Sequence, residues 1–205
     1  MQAIIPTHSA LSFMNSLFIF ILGITYANAQ DNIKNEVEVN KTETEIQSDI
    51  YWNVKAYRPN AELLNIKAID KDGKMHDVKA IQTSDDTSIL DVKALKDGQR
   101  SPIKLIVKDM DRYYPAKGID TDGTLIDIKA VTKDGEILAV KGVSKSGNIV
   151  HLRAITKDSL FYNIISISPE GKVNNVKGMK MLDTRVETVI NGVSVFAHVK
   201  SLKQD

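Results

Sequence analysis

The chain has 205 residues, 42% of them apolar and 26% charged, and its 27 basic side chains against 26 acidic ones leave a formal net charge of +1. That composition suits one globular domain or two small ones, and it excludes a disordered, collagen-like or multispan membrane chain. The absence of cysteine removes disulfides, thiolate metal sites and thiol nucleophiles, and the near-zero net charge argues against a protein that coats nucleic acid.

Residues 1–29 contain no Lys, Arg, Asp or Glu. Their apolar run, Leu17 to Ile24, is shorter than the roughly 20 residues a bilayer crossing needs. It is followed by Ala27-Asn28-Ala29, with small residues where a signal peptidase requires them for a cut after Ala29. The segment therefore predicts a cleaved signal and a secreted or periplasmic protein with no stable membrane span after cleavage, although its only cation is the terminal amine. Residues 30–50 are polar, with Val37, Val39 and Ile46 too sparse for a core face, and predict a linker.

Residues 51–205 form the body, and they repeat. A phrase of the type Val/Ile-Lys-Ala/Gly-Val/Ile recurs from Val54-Lys55-Ala56-Tyr57 onward, and positions 116, 128, 140, 152, 164 and 176 stand twelve residues apart. Between the phrases lie turn signals such as Lys71-Asp72-Gly73, Thr121-Asp122-Gly123, Lys133-Asp134-Gly135 and Lys145-Ser146-Gly147. Twelve residues accommodate one strand and a short turn, not a helix plus a strand, and Gly at the third turn position fits a reversal that ends in the left-handed region.

A three-residue loop at Lys133-Asp134-Gly135 sets Val131 opposite Ile137 and Ala130 opposite Leu138. The same rule at the next turns lines up Ile128, Val140, Leu152, Ile164 and Val176 on one face. It lines up Asp127, Lys141, His151, Ile165 and Asn175 on the other. A two-residue loop would mix core with charge on both faces. The predicted fold is all-β: an antiparallel up-and-down meander of about 11–13 short strands, curled into a barrel or two-layer roll because no amphipathic helix is available to cover its apolar face. A parallel solenoid fits the period but not the reversal turns.

The lysine of each repeat is the most conspicuous residue. The register sets Lys67 opposite Asp77, Lys79 opposite Asp91, and both Lys117 and Lys141 opposite Asp127, as cross-strand ion pairs on a solvated face. Lys129, Arg153 and Lys177 have less carboxylate cover, and with His151 and Asn163 alongside they form the candidate anion-binding row. Trp52 and Tyr57, and Tyr113 and Tyr114, are the candidate aromatic platforms for a sugar ring, or else plugs at an open end of the sheet.

Asp70-Lys71-Asp72-Gly73 and Asp120-Thr121-Asp122-Gly123 look like calcium loops but lack the remaining ligands, and Asp-Gly is also ordinary turn chemistry. His76, His151 and His198 form no metal or catalytic motif, and no nucleophile elbow, phosphate loop or dinucleotide fingerprint is present. No catalytic residue, cofactor or metal is expected. The sequence thus predicts a non-catalytic extracytoplasmic binding or scaffold protein, with an acidic glycan or a cell-surface protein as its partner and polysaccharide utilisation as its setting. The alternatives are a barrel carrier of a small apolar ligand and a glycan-active enzyme.

Overall fold

The computed structural model describes residues 48–109 and 113–204. The expected signal, its cleavage site and most of the linker lie outside them. The described residues form thirteen strands and no helix. They are β1 (Ile50–Tyr57), β2 (Leu64–Ile69), β3 (Met75–Gln82), β4 (Ile89–Lys96), β5 (Gln99–Ile106), β6 (Tyr114–Ile119), β7 (Leu125–Val131), β8 (Ile137–Ser146), β9 (Ile149–Ile155), β10 (Phe161–Ile167), β11 (Val173–Met179), β12 (Thr188–Ile190) and β13 (Val193–Lys203). All belong to one antiparallel sheet, and from β1 to β11 each strand pairs with the next.

The turn chemistry produces this meander. At Lys133-Asp134-Gly135 the Thr132 amide donates to Glu136 O and the Gly135 amide to Thr132 O, with Gly135 at φ 84°. The register is the expected one, Val131 opposite Ile137 and Ala130 opposite Leu138. Two-residue loops break the twelve-residue period: Asp97-Gly98 joins Lys96 to Gln99, and Asn191-Gly192 joins Ile190 to Val193. Both residues of each loop have positive φ, the backbone a tight hairpin needs.

One turn departs from the rule. Ser146 pairs with Ile149 around Gly147-Asn148, and the register shifts between Gly142 and Ser144. The bulge absorbs the missing loop residue and restores the core face. It also moves Lys141 opposite Arg153 rather than His151.

The sheet closes on itself. Besides its chain neighbours, almost every strand reaches a third partner. Four three-strand junctions result, in each of which all three strands pair with one another: β1–β2–β3, β4–β5–β13, β6–β7–β8 and β9–β10–β11. Each two junctions share one further ladder: β3–β4, β2–β7, β1–β10, β5–β6, β11–β13 or β8–β9. This is the connectivity of a tetrahedron with a junction at each corner. It gives both edges of a strand a partner and leaves the short β12 as a flap on β13.

Inside lie Ile128, Val140, Leu152, Ile164 and Val176 as expected, with Trp52, Leu64, Ile103 and Leu105. The small residue that follows each repeat lysine also points inward, and Ala56, Ala68, Ala80, Ala94, Ala130 and Ala154 are fully buried. Alternating large and small side chains let a strongly curved interior fill.

Candidate functional site

The outer face is built from the lysine positions. Across the inter-junction ladders these do not meet Asp. Lys67 faces Lys129, Lys79 faces Lys93, Lys104 faces Lys117, Lys141 faces Arg153 and Lys177 faces Lys200; only Lys55 faces an uncharged residue, Ile165. The expected pairing of Lys79 with Asp91 and of Lys141 with Asp127 is therefore corrected: β3 and β4 register one pair further along, and β8 leaves β7 for β6 before reaching Asp127. Like charges directly opposite repel. The compensation comes from within each junction.

At β1–β2–β3, Lys67 Nζ donates to Asp77 Oδ1 at 2.6 Å, Lys79 Nζ to Asn53 Oδ1 at 2.6 Å, and Lys55 Nζ to Asn65 Oδ1. Each acceptor stands two residues before a repeat lysine, so three cations are bound around a small ring. At β4–β5–β13, Asp91 takes Lys200 and lies 3.5 Å from Lys93, while Lys104 Nζ meets His198 Nδ1 at 2.6 Å. Burial, with Lys93 and Lys200 nearby, pushes Lys104 down to about 8. At β6–β7–β8, Asp127 takes Lys117 and lies 3.3 Å from Lys129. The Lys67 hydrogen bond holds Asp77 below the usual carboxylate range. Burial pulls Asp91 and Asp127 the other way, but their lysines outweigh it.

The fourth junction, β9–β10–β11, has no such carboxylate. His151 occupies the position taken by Asp77, Asp91 and Asp127 in the others, and Asn163 and Asn175 hold the two remaining acceptor positions. Among the described residues Arg153 donates only to its neighbour's carbonyl, Leu152 O, at 3.1 Å, and Lys177 Nζ lies 3.4 Å from His151 Nδ1. Burial lowers the affinity of all three for protons. Arg153 adds to the effect on Lys177, and Lys177 and Arg153 add to that on His151. Desolvated cations that lack an anionic partner are poorly compensated, and an oxyanion from outside would supply what the other three corners carry within the chain.

The histidine sets the pH dependence. His151 titrates below its ordinary value of 6.5, so its protonation lowers stability as the pH falls below 6.5 toward the folded-state value. A bound oxyanion reverses the preference by stabilising the imidazolium. Anion affinity should therefore rise as the pH falls from about 7.5 to about 5.5, with proton uptake on binding. Calorimetric titration in two buffers of different ionisation enthalpy reads that uptake, and His151→Gln should abolish it.

The structure brings together four of the expected site residues and Asn175, sets Tyr57 beside them as the Cα partner of Asn163, and disperses the others. Arg153, Lys177, His151 and Asn163 share the fourth junction. Lys129 does not belong with them, since β7 lies at another corner and Asp127 covers its ammonium. Trp52 is no sugar platform: it is 1% exposed, with Nε1 donating to Gln82 Oε1 at 2.9 Å. Tyr114 is half-buried and stacks on Phe196, Tyr113 is also half-buried, and Tyr57 is exposed on β1 at the edge of the junction. The sequence reading missed Asn175 as a candidate, and missed Lys141, which the bulge in β8 brings beside Arg153. The two Asp-x-Asp-Gly turns use their carboxylates on turn amides and, for Asp120, on Lys96, whose Nζ donates to Asp120 Oδ2 at 2.7 Å. Asp70 accepts the Asp72 and Lys74 amides and meets His76 Nε2 at 2.8 Å, and Asp122 accepts the Thr124 amide and hydroxyl.

A family model, described as a family of unknown function (DUF7486), matches residues 48–202, more than half of the chain. No curated protein and no solved structure matches it.

Proposed function

The chain belongs to this family, and we propose that it is a non-catalytic extracytoplasmic binding protein whose β9–β10–β11 junction takes the anionic group of an acidic or sulfated glycan. One observation carries the reading: three corners of the sheet hold an Asp among their cations, and the fourth presents Arg153, Lys177 and His151 with none. Asn163 and Asn175 add carboxamides able to hydrogen-bond ring hydroxyls or ester oxygens. The uncharged first segment ending in Ala27-Asn28-Ala29 supports export. The junction offers cations and amides rather than the carboxylate pair that glycoside hydrolysis needs, which favours binding over turnover. The interior is filled by its own side chains, Trp52 and Leu105 among them, which favours a surface ligand over an enclosed apolar one.

The test is calorimetric titration, at low salt, with a sulfated hexosamine–uronate tetrasaccharide and an unsulfated oligouronate. Arg153→Ala with Lys177→Ala should weaken binding at least tenfold. Lys67→Ala, at a corner that already holds its Asp, should leave binding within about twofold, the scale of a screened surface charge. No binding of either probe by the native chain removes the glycan reading.

A further inference from the structure

The bulged register of β8 extends the cationic site beyond its corner. Lys141 is the Cα partner of Arg153, and Lys177 on β11 is the partner of His151, which precedes Arg153 by two residues on β9. Lys177, Arg153 and Lys141 thus step across three neighbouring strands, β11, β9 and β8, at the roughly 4.8 Å spacing of strands in a sheet. Lys141 makes no hydrogen bond or ion pair among the described residues. Asp127, the carboxylate of its junction, is already shared by Lys117 and Lys129.

Beside Lys141 the surface changes character. A cleft of about 420 Å³ opens there, floored by Ile106, Val107, Pro115 and Leu125 and flanked by Lys108, Lys117 and Lys129. Pro115 is the Cα partner of Lys141, so the apolar floor begins beside Lys141, within a rim of lysines. A ligand that satisfies this surface carries anionic groups at one-residue intervals and an apolar face beyond them. A pyranose oligomer has both: ionised substituents at its rim, and C–H faces that lie against aliphatic side chains.

We infer that Lys141 and the adjoining cleft form a second subsite, which takes the next anionic residue of the same oligosaccharide and seats its ring on Pro115 and Leu125. This rests on the proposed function of the β9–β10–β11 junction and names its ligand as an oligomer with at least two anionic groups. Linking two contacts in one ligand raises affinity without any new contact at the first site.

The experiment compares two probes, a monosulfated hexosamine and a disulfated tetrasaccharide, by calorimetry on the native chain, on Lys141→Ala and on Leu125→Ala. Thermal unfolding confirms that each variant is folded. Lys141→Ala should weaken the tetrasaccharide about tenfold and leave the monosaccharide unchanged, and Leu125→Ala should weaken only the tetrasaccharide. A loss of equal size for both probes, or no loss for the tetrasaccharide while Arg153→Ala with Lys177→Ala still impairs it, overturns the second subsite and spares the first. Failure of the native chain to bind either probe overturns both. Decyl sulfate binding more tightly than the tetrasaccharide, in a Lys141-dependent way, overturns the oligosaccharide and makes the occupant an acyl amphiphile.

Discussion

His151→Asp should close the β9–β10–β11 junction, abolishing measurable oligosaccharide binding while raising the stability of the folded chain at neutral pH. The native structure performs the equivalent arrangement three times. Asp77, Asp91 and Asp127 stand at the position His151 occupies, and each draws in the lysines around it. An Asp at 151 would meet Lys177, whose Nζ already lies 3.4 Å from the His151 ring, and would lie on the same face as Arg153. Its carboxylate would compete with any ligand oxyanion at an effective concentration no free glycan reaches.

The gain in stability should be small, roughly 0.2–1 kcal/mol, because the pair stays partly solvated. The sign with pH follows from the depressed pKa such an Asp acquires. Its contribution is complete above the unfolded value of about 3.9 and fades as the pH falls through the folded one. The native chain loses stability in the same direction but at higher pH, as the pH falls below the ordinary histidine value of 6.5 toward the lowered one of His151. Urea unfolding across the acid range separates the two profiles. Retained binding by His151→Asp would show that the cations of this corner are not what holds the glycan.

How far the sequence reveals this site depends on which interactions are local. Gly135 and the amides around it fix the β7–β8 turn from within four residues, so the pairing of Val131 with Ile137 can be read from the chain. That Ile128, Val140 and Leu152 each point inward follows from alternation within their own strands, because a strand cannot bury one such residue without burying the next but one. The third partner of each strand is not local. Nothing near Lys67 announces Lys129, and nothing near Lys177 announces Lys200, yet these are the ladders that close the sheet.

Lysines of the ladders between corners therefore face one another. Asp77 opposite Lys67 and Asp127 opposite Lys117 follow the expected hairpin register, while Asp91 acts on Lys200 across β4–β13, a pairing that no hairpin describes. Arg153, Lys177, His151 and Asn163 were legible because the absence of Asp two residues before Arg153 and Lys177 is itself a sequence fact. Lys141 was not, because its place beside Arg153 depends on a bulge that corrects a two-residue loop. Trp52 was legible as well, since it shares the parity of Val54 and Ala56 and alternation along β1 turns all three inward.

The second large effect concerns the glycines beneath the site. Gly142 and Gly178 each follow a site cation, Lys141 and Lys177, and point into the core from the opposite face. A Cβ on Gly178 would come within 2.7 Å of Leu105 Cδ1 and 3.0 Å of Val150 Cβ; one on Gly142 would meet Leu105 Cδ1 at 2.7 Å and Val150 Cγ1 at 2.9 Å. Leu105 is fully buried, and Val150 Cβ is anchored to its backbone, so neither yields freely. Gly178→Ala should therefore cost about 1–3 kcal/mol by overpacking. Leu105→Ala alone should cost about 2–5 kcal/mol, as the loss of a buried leucine does when its cavity cannot collapse.

Combined, the two changes should cost less than their sum, because removing the Leu105 methyls makes room for the new one. A coupling of roughly 0.5–3 kcal/mol is the range for side chains in contact. Urea midpoints at unchanged m-value measure the cycle. Gly178→Ala should also weaken glycan binding in the folded protein, since any shift of β11 that relieves the contact with Val150 moves Lys177 with it. Strict additivity, or full binding by Gly178→Ala, would mean that Leu105 swings aside without cost and that the cation row is independent of the core packed under it.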